Sequence, residues 1–480
     1  MNTPVPGSPA TAARGAQRDH RAERLVDLGT RLTGTLAVPG DPDWDAARQA
    51  WNLAADLHPA AVVRPSVVAD VVSVVDTARE LGLRVAPQST GHNAGPLAER
   101  DDLGDTIVVR TSSLDDVQVD PVARVARVGG GATWGKVVAA AAEHGLAGLA
   151  GSSHDVGVVG YSLGGGVSWF ARSHGLAANH VLAVELVTPD GEFRRVDAES
   201  DPELFWALRG SGGGGLGVVT ALECRLFPVT DVFAGMLLWP ADRASEVFAA
   251  WRDLTAEAPT SASTACRLMH FPEMPELPPF LSGRSVVVVD GVVQEPAEAA
   301  APLLDGLRAL APEIDTFATT PVPELLHLHM DPPGPTPGTS DGILLTELPD
   351  AALAEALDAL GDRDRTRLMI IELRHVGGAM RPEAAAAVAD GPTGVVAGFD
   401  AEFVCFANGL PFPDGPAPVR AALDALFARL APWRGELDYL NFAETNRAPE
   451  QFWGDAAGRL AAVRDRVDAG GVMRAGHEIG

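Results

Sequence analysis

Apolar positions repeat with two different periods over the first half of the chain. Residues 61–64 and 83–87 are short apolar runs typical of strands. Residues 67–81, between them, repeat at helical spacing after Pro65 and a predicted N-cap at Ser66. This order predicts a β-α-β unit, and its second strand runs directly into a polar loop over residues 88–96.

The pattern then changes to shorter strands. Strands are predicted at residues 106–110, 117–119 and 123–128, followed by a helix over 133–144 that Gly145 ends. Residues 181–188 and 193–196 flank a turn and predict a hairpin. A short helix over 201–210 and a strand over 218–226 complete this half.

After Pro228 the pattern of predicted elements changes. Alanine-rich helical stretches at 243–254, 295–310 and 351–360 alternate with strands such as 285–290, 367–374 and 399–406. The segments 272–279 and 332–337 are rich in proline and predict surface loops. This part of the chain is predicted to be a second domain, with 435–480 as a separate closing segment.

Composition and charge narrow the range of partners. Hydrophobic residues make up 46% of the 480 residues and charged residues 21%, as in ordinary globular proteins. The formal net charge of −27 repels nucleic acids and anionic lipid surfaces, so neither is expected as a partner. No signal peptide or membrane-spanning window is recognised, which predicts a cytoplasmic protein. Three cysteines without a C-x-x-C pair indicate buried apolar positions, with no metal site predicted.

Two glycine-dense stretches and one histidine carry the candidate chemistry. Residues 157–166 and 210–217 are rich in glycine, and Thr90-Gly91-His92 lies in the loop after the second predicted strand. Glycine allows backbone N–H groups to approach an anion closely, which suggests a nucleotide cofactor. A Rossmann site is disfavoured because the first β-α turn has no glycine, and no Gly-Lys-Ser/Thr indicates a P-loop. Taken alone, the glycines are equally compatible with structural turns.

The order of four motifs makes the interpretation more specific. Residues 87–95, 151–166 and 203–210, together with Tyr439-Leu440-Asn441-Phe442, resemble the berberine-bridge-enzyme-like branch of FAD-linked oxidases. That branch belongs to the vanillyl-alcohol oxidase and p-cresol methylhydroxylase (PCMH) superfamily. The resemblance extends from about Trp51 to the C-terminus.

The resemblance implies an α+β fold with two parts. A PCMH-type FAD-binding domain of two subdomains is expected over 21–230, after a mobile tail over 1–20. A substrate domain with an antiparallel sheet backed by helices is expected over 231–434. The segment 435–480 is expected to return to the FAD domain.

The resemblance also implies which residues contact FAD. His92 is expected to be bonded through its imidazole to the 8α carbon of the flavin. Many relatives add a bond from a cysteine at the position of Ser153, and serine cannot supply a thioether, so a single covalent link is expected. The cofactor-binding residues are predicted to be Gln88, Ser89, Thr90, Gly91, His92, Asn93, Ser152, Ser153, Val156, Gly157, Gly160, Tyr161, Gly164, Gly165, Gly166, Val218 and Asn441.

The proton acceptor is less clearly indicated. Several relatives use a tyrosine at the position of Phe442 as the base, and phenylalanine cannot accept a proton. Tyr439 is the first candidate for a catalytic role, and Glu372 with Arg374 is the second because the two share one face of a predicted strand. A solvated strand end is an equally good interpretation of that pair. His327 and His329 are spaced like metal ligands but have no third partner, so a surface loop is predicted there.

The sequence therefore predicts an FAD-dependent oxidase. Hydride would pass from a small-molecule alcohol, sugar or amine, such as a secondary metabolite, to FAD and then to dioxygen, giving hydrogen peroxide. Val156 occupies the position where, in relatives, a small residue is associated with oxidases. A flavin dehydrogenase with another electron acceptor, or a catalytically silent flavin-binding protein, are the alternatives. The substrate and the oligomeric state are not indicated.

Overall fold

The computed structural model describes residues 9–100, 103–273, 275, 277–361, 366–389, 391–411 and 413–480. The predicted tail over 1–20 lies partly outside these residues, and within them the first helix begins at Pro9.

A small sheet and its helices open the chain. Its strands are β1 Thr35–Ala37, β2 Ala61–Arg64, β3 Arg84–Gln88 and β4 Thr106–Arg110, and the helices are α1 Pro9–Arg31, α2 Trp44–Arg48, α3 Val68–Leu81 and α4 Gly95–Ala98. The strand order is β1-β2-β4-β3, with β2, β4 and β3 parallel. The predicted β-α-β unit is present, and β4 lies between its two strands. The carboxyl end of β3 leads into the loop that carries His92.

Asp70, rather than the predicted Ser66, caps the start of α3. The N-cap residue is Val67, and the Asp70 carboxylate accepts hydrogen bonds from the backbone N–H groups of Ser66 (2.8 Å), Val67, Thr33 (2.9 Å) and Gly34. Burial opposes the charge, but these four donors hold the pKa of Asp70 below its ordinary value. One carboxylate at the third helical position thus ties the preceding loop to the helix.

A second sheet is antiparallel. Its strands are β5 Val117–Asp120, β6 Val125–Gly129, β7 Val181–Val187, β8 Phe193–Asp197 and β9 Val218–Arg225, in the order β5-β6-β9-β7-β8, and its helices are α5 Trp134–Ala142, α6 Val158–Leu163, α7 Ala171–His174 and α8 Pro202–Leu208. The predicted hairpin is β7 with β8. The glycine-rich stretch over 157–166 contains α6, so its backbone is helical for six residues before the consecutive glycines.

The largest sheet is also antiparallel. Its strands are β10 Asp231–Pro240, β11 Ala262–His270, β12 Ser285–Val293, β13 Ile314–Asp315, β14 Ala318–Pro321, β15 Thr339–Leu345, β16 Ile370–His375 and β17 Phe403–Gly409. The main order is β13-β10-β12-β11-β16-β17-β15. The accompanying helices are α9 Ala244–Glu257, α10 Ala297–Ala300, α11 Asp305–Arg308, α12 Leu325–Leu328, α13 Asp350–Leu360, α14 Pro382–Val388 and α15 Ala417–Leu430. Helices α9, α13 and α15 bury one face of the sheet in a shared hydrophobic core, which confirms the predicted fold class.

The two faces of this sheet differ in chemistry. Leu373, Cys266 and Val289 point into the helix-covered core. Glu372 and Arg374 alternate with Leu373 along β16, so they point to the opposite face. That face, described below, carries charged residues and contacts the glycine-rich half of the chain.

The C-terminal segment lies against the first half of the chain. It contains α16 Pro449–Trp453 and α17 Ala457–Val467. Val85 of β3 exchanges backbone hydrogen bonds with Val472 (2.7 Å) and Arg474 (2.8 Å), so residues 472–474 extend the edge of the small sheet. Val472 and Met473 are buried in the core of that sheet.

Two sequence expectations in the second half are corrected. The helix predicted over 295–310 is broken at Pro302 into α10, a 3-10 turn and α11, because proline has no N–H to donate. The strand predicted over 399–406 begins at Phe403, since Phe399 belongs to a loop whose ring packs 5.7 Å from Tyr439 in the first-half core. Apolar residues there serve packing between the two halves of the chain rather than strand formation.

Two further features concern the whole chain. Cys224, Cys266 and Cys405 are buried and unpaired, as predicted. Among the described residues, no helix combines the length and the apolar character that a membrane span requires.

Candidate active site

The loop after β3 holds His92 against an aromatic ring. Its imidazole stacks on Trp51 with ring centroids 4.0 Å apart and planes 17° from parallel. The Thr90 Oγ1 lies 2.8 Å from His92 Nδ1. Backbone hydrogen bonds from Trp51 to the Thr90 carbonyl (3.0 Å) and from Asn52 to the Gly91 carbonyl hold the two segments together. The ring of His92 is therefore fixed on one face and at one nitrogen.

Asp155 lies beside the other nitrogen. Its Oδ1 is 3.4 Å from His92 Nε2, a nitrogen that is buried and has no hydrogen-bond partner. Asp155 accepts hydrogen bonds from Trp51 Nε1 (2.5 Å) and Ser153 Oγ (2.8 Å). Burial opposes the charge of Asp155, but His92, Trp51 and Ser153 together hold its pKa below the ordinary range. The group is an ionised carboxylate at neutral pH.

The glycine-rich stretch over 151–166 passes close to the His92 loop. A Cβ at Gly157 would lie 2.6 Å from Ser89 Oγ, so the two loops approach more closely than any side chain would permit. Ser152 donates a hydrogen bond to Asp331 (2.7 Å), which links this stretch to the second half of the chain. Val156 is half-buried and packs against the first-half core, and Gly160 on α6 faces open space.

The C-terminal motif closes over the end of α6. A Cβ at Gly164 would overlap Asn441 Oδ1, and one at Gly165, where φ is +123°, would lie 3.1 Å from the ring of Tyr439. Asn441 donates to the Tyr161 carbonyl (2.9 Å) and to Tyr439 Oη (3.0 Å). Asn441 and Tyr439, which are far along the chain from Gly164 and Gly165, approach the backbone there closely, and this favours glycine at both positions.

Tyr439, the first predicted candidate for the base, is engaged by other groups. Its hydroxyl oxygen accepts hydrogen bonds from Asn441 and from the Val167 backbone N–H (3.0 Å), and its side chain is buried. Burial is the largest influence and raises the pKa of Tyr439. Both features disfavour proton abstraction by this phenol and suit it to holding the glycine-rich backbone in place.

The glycine-rich stretch over 210–217 continues the same surface. The N–H groups of Gly210 (2.7 Å) and Gly212 (2.9 Å) donate to the Leu163 carbonyl at the end of α6, and Gly214 approaches Pro87 at the end of β3. Val218 follows as the first residue of β9, with its side chain fully buried in the core of the small sheet. The structure thus gives Val218 a packing role, and the glycines before it line the loop surface.

Several buried polar atoms on these loops have no hydrogen-bond partner within the chain. They are Gln88 Oε1, Ser89 Oγ, His92 Nε2, Asn93 Oδ1 and Tyr161 Oη. A buried polar group without a partner is costly unless a ligand satisfies it. Both donors and acceptors are present, at the end of β3 and the loop after it and on α6, which fits a ligand that carries anionic oxygens as well as a polar ring system. The contacts described above thus bring together predicted cofactor-binding residues from three separate segments, 88–93, 152–166 and Asn441.

A buried charged cluster lies on the polar face of the large sheet. Arg267 forms an ion pair with Asp290, and His329 lies between two carboxylates, with Nδ1 2.8 Å from Asp290 and Nε2 3.0 Å from Glu372. Arg374 donates to Glu372 from Nε (2.8 Å) and Nη2 (2.7 Å). Glu372 and Arg374 share one face, as their spacing predicted; Glu372 is buried and Arg374 is half-buried, so the pair is not a solvated strand end.

The prediction of a surface loop at His327 and His329 is wrong for His329. His327 is exposed, but His329 is only 4% exposed because Asp290 and Glu372 provide partners that compensate its burial. Burial and nearby Arg267 lower the pKa of His329, whereas Asp290, Glu372 and Asp331 raise it, for a net value of about 9. Burial likewise opposes ionisation of Glu372, but Arg374 and His329 hold its pKa well below the ordinary range.

Aromatic contacts join this cluster to the glycine-rich loops. The guanidinium carbon of Arg374 is 5.7 Å from the ring centre of Trp169 and 5.6 Å from that of Phe442. Trp169 lies three residues after Gly166, and Phe442 ends the C-terminal motif. The carboxylate of Glu372 therefore lies at the junction between the large sheet and the loops that carry the predicted cofactor-binding residues.

Sequence reasoning missed four residues that shape this region: Trp51, Asp155, Trp169 and His329. Asp155 and Trp169 lie within or beside the stretch over 151–166, and the signal available was an acidic or aromatic residue close to its glycines. Trp51 lies far from every motif in sequence and gave no such signal. For His329 the pairing depends on Asp290 and Glu372 from two different strands, which local spacing does not reveal.

A known protein family matches the part of the chain that contains the loop after β3 and the glycine-rich stretch over 151–166. Residues 59–197 match the family model of an FAD binding domain. The (R)-6-hydroxynicotine oxidase of Paenarthrobacter nicotinovorans is 33% identical over 209 residues, which is 43% of this chain and 45% of that protein. The chain spans about half the length of the curated relatives it matches.

Solved structures match over nearly the whole chain. The 6-hydroxy-D-nicotine oxidase of Arthrobacter nicotinovorans has a TM-score of 0.77 at 23% identity, covering 92% of this chain and 97% of its own. BBE-like 1 of Physcomitrella patens has a TM-score of 0.80 at 20% identity, covering 95% and 99%. Below 25% identity, these likenesses establish the fold.

The chain therefore contains a region, residues 59–197, that matches an FAD binding domain, within a fold shared with solved FAD-linked oxidases. At the level of the fold, the predicted resemblance to the berberine-bridge-enzyme-like branch is confirmed.

The charged cluster predicts how stability depends on pH. The pKa of His329 is raised from 6.5 to about 9 on folding, so its contribution to stability is complete below pH 6.5 and is lost as the pH rises through 9. The free energy of unfolding, measured by urea titration at a series of pH values, is expected to decrease over this range. The decrease should be smaller in His329→Gln. The exposed His327→Gln is the matched control and should leave the profile unchanged. An identical alkaline decrease in His329→Gln would contradict the assignment.

Proposed function

We propose that the chain is an FAD-dependent oxidoreductase, most directly an oxidase, with FAD bonded once through His92. The observation that carries the proposal is the set of buried polar atoms without partners on the loops over 88–95 and 151–166, inside the matched FAD binding domain. Ser153 donates to Asp155 and has no thiol, so a second bond of the cysteinyl type is not part of the proposal. The cytoplasmic location stays a prediction.

The residues that would hold FAD follow from their positions. Ser89, Thr90 and the backbone of Gly91 would bind the pyrophosphate, as closely spaced N–H groups and hydroxyls do for anions. Gly157 and Gly164–Gly166 would allow close approach to the cofactor. Asn93, Tyr161 and Asn441 carry amide and phenol groups at the edge of the same surface.

The cofactor would supply hydride acceptance and reoxidation by dioxygen, giving hydrogen peroxide. The chain's own groups would orient the substrate and handle its proton. Glu372 is ionised and held by Arg374 and His329, so it is placed to accept a hydrogen bond from a substrate hydroxyl or amine. Its lowered pKa makes it a weak base, so it would take the proton as hydride leaves, when the substrate group becomes strongly acidic. Trp169 and Phe442 would provide apolar walls beside it.

The names of similar proteins support the substrate class. They include a 6-hydroxynicotine oxidase and a chitooligosaccharide oxidase, whose substrates are an amine and a sugar. A small-molecule alcohol, sugar or amine is accordingly proposed as the substrate, and dioxygen as the electron acceptor. The substrate would bind between the loops of the FAD-binding half and the polar face of the large sheet.

One prediction of the proposed function concerns the covalent link. His92→Ala is expected to bind FAD without retaining it, because the imidazole nitrogen is lost. After acid precipitation, flavin absorbance and fluorescence should remain with the wild-type polypeptide and appear in the supernatant for the variant. His154→Ala, a histidine in the neighbouring loop, is the control and should retain flavin. Free flavin from the wild type would refute the link but leave the assignment as an FAD enzyme standing.

A second prediction concerns Glu372. Once a substrate is found from panels of alcohols, sugars and amines, Glu372→Gln should slow its anaerobic bleaching of the flavin by about 10²- to 10⁴-fold, the range for loss of a general base. Flavin content should not change. Glu402→Gln removes a half-buried carboxylate paired with Arg381 and should have no effect on bleaching. Equal rates in Glu372→Gln and the wild type would exclude this role, and a wild type inert to every panel would favour a silent flavin-binding protein.

A third prediction concerns Val156 and dioxygen. Among the structural neighbours, wild-type Phl p 4 is described as a glucose dehydrogenase, and a variant with isoleucine replaced by valine as a glucose oxidase. Val156→Ile should therefore slow reoxidation of the reduced protein by dioxygen by about tenfold, equivalent to about 1.4 kcal/mol in the barrier. Stopped-flow mixing with oxygenated buffer measures this, and anaerobic substrate reduction is the internal control. An oxygen-insensitive wild type would instead indicate a dehydrogenase.

A further inference from the structure

Asp155 occupies a position in the candidate site to which the predicted contacts assign no role. Its carboxylate faces His92, with 3.4 Å between Asp155 Oδ1 and His92 Nε2. Its two oxygens are held by Trp51 and Ser153. Trp51 is also the ring on which His92 stacks, so one tryptophan fixes both members of the pair.

The arrangement resembles that of a histidine oriented by a carboxylate. Thr90 Oγ1 engages Nδ1 of His92, and Asp155 lies beside Nε2. When either nitrogen forms a bond to carbon, positive charge develops on the imidazole ring. A fixed carboxylate beside the ring lowers the energy of that charge, as it does when a histidine takes up a proton.

We propose that Asp155 is a positioning residue for the attachment of FAD, which orients His92 and stabilises the positive charge that its imidazole acquires as the bond forms. The inference rests on the proposed function, because it concerns the covalent link suggested there. It also gives Ser153 a role: the side chain that replaces the cysteine of relatives donates to Asp155 and holds it in place.

The overall reaction balances with dioxygen as the oxidant. One C–H bond of the flavin 8-methyl group and the N–H bond of the His92 imidazole are broken, and one C–N bond forms. The two hydrogens and two electrons released reduce dioxygen to hydrogen peroxide. Asp155 is unchanged at the end, as its role is electrostatic and geometric.

The test follows attachment separately from binding. The wild type, Asp155→Asn, Asp155→Glu and Ser153→Ala are produced under riboflavin limitation and mixed with FAD in air. Reversible binding is measured by quenching of FAD fluorescence, and attachment by the flavin that stays with acid-precipitated chain over time. We expect Asp155→Asn to bind FAD as the wild type does but to attach it at least about tenfold more slowly. Asp155→Glu should restore part of the rate, and Ser153→Ala should reduce it by a smaller factor.

A second variant separates this role from a merely structural one. In Asp155→Ala, added acetate or formate should increase the rate of attachment, because a small carboxylate can take the vacated position beside His92. No structural defect would respond to these ions. This measurement does not use Asp155→Asn, so poor folding of that variant would not prevent the test.

The outcomes are distinct. Attachment by Asp155→Asn at the wild-type rate, or no response of Asp155→Ala to carboxylates, would overturn the role of Asp155 while leaving the link to His92 intact. Loss of reversible FAD binding in Asp155→Asn, with binding kept in His92→Ala, would also overturn it, since Asp155 would then serve binding. A wild type that binds FAD but never retains it in acid would refute both the proposed link and this inference.

Discussion

The contact between the C-terminal motif and the end of α6 is the constraint on which the candidate site depends. A side chain at Gly164 would collide with Asn441, and one at Gly165 would be strained by a φ of +123° and in tight contact with Tyr439. The contact is fixed by hydrogen bonds from Asn441 to the Tyr161 carbonyl and from the Val167 backbone to Tyr439. It brings residues about 280 positions apart into one surface. The same motif places Phe442 against Phe406 of the large sheet, so it contacts both halves of the chain.

The candidate functional groups lie on the two sides of the junction that this contact forms. On one side, the end of β3 with the loop after it and helix α6 carry a histidine, hydroxyls and amides with unsatisfied hydrogen-bonding capacity. On the other side, the sheet carries a carboxylate, Glu372, whose charge is balanced by Arg374 and His329. Trp169 and Phe442 lie between them. Aromatic side chains and one ionised acid thus lie on the sheet side of this junction, facing the half of the chain that carries the loops.

Local sequence pattern predicted the elements that local interactions determine. The β-α-β unit, the hairpin of β7 and β8, and the shared face of Glu372 and Arg374 all follow from periodicity or turn chemistry. The loops that hold the candidate site were predicted because glycine-rich stretches indicate close approaches of the backbone. The resemblance to a family supplied the ligand and the individual roles, which periodicity alone does not contain.

What could not be predicted depends on pairs of residues that are distant in sequence. The stack of Trp51 on His92, the approach of Asp155 to that ring, and the burial of His329 between Asp290 and Glu372 each join separate segments. Phe399 misled the strand prediction because its ring packs on Tyr439 in the other half of the chain. In each case the contact partner lies in a distant part of the sequence, so the local pattern around either residue does not indicate the contact.

The most direct measurement of the central claim is the visible absorption spectrum of the purified protein, recorded before and after incubation with FAD and removal of unbound ligand. The account predicts the yellow spectrum of an oxidised flavin at about one flavin per chain, already present or acquired on incubation, with bands displaced from those of free FAD by the enclosed site. A protein that stays colourless after incubation would contradict the account, because the loops would then not form a flavin site.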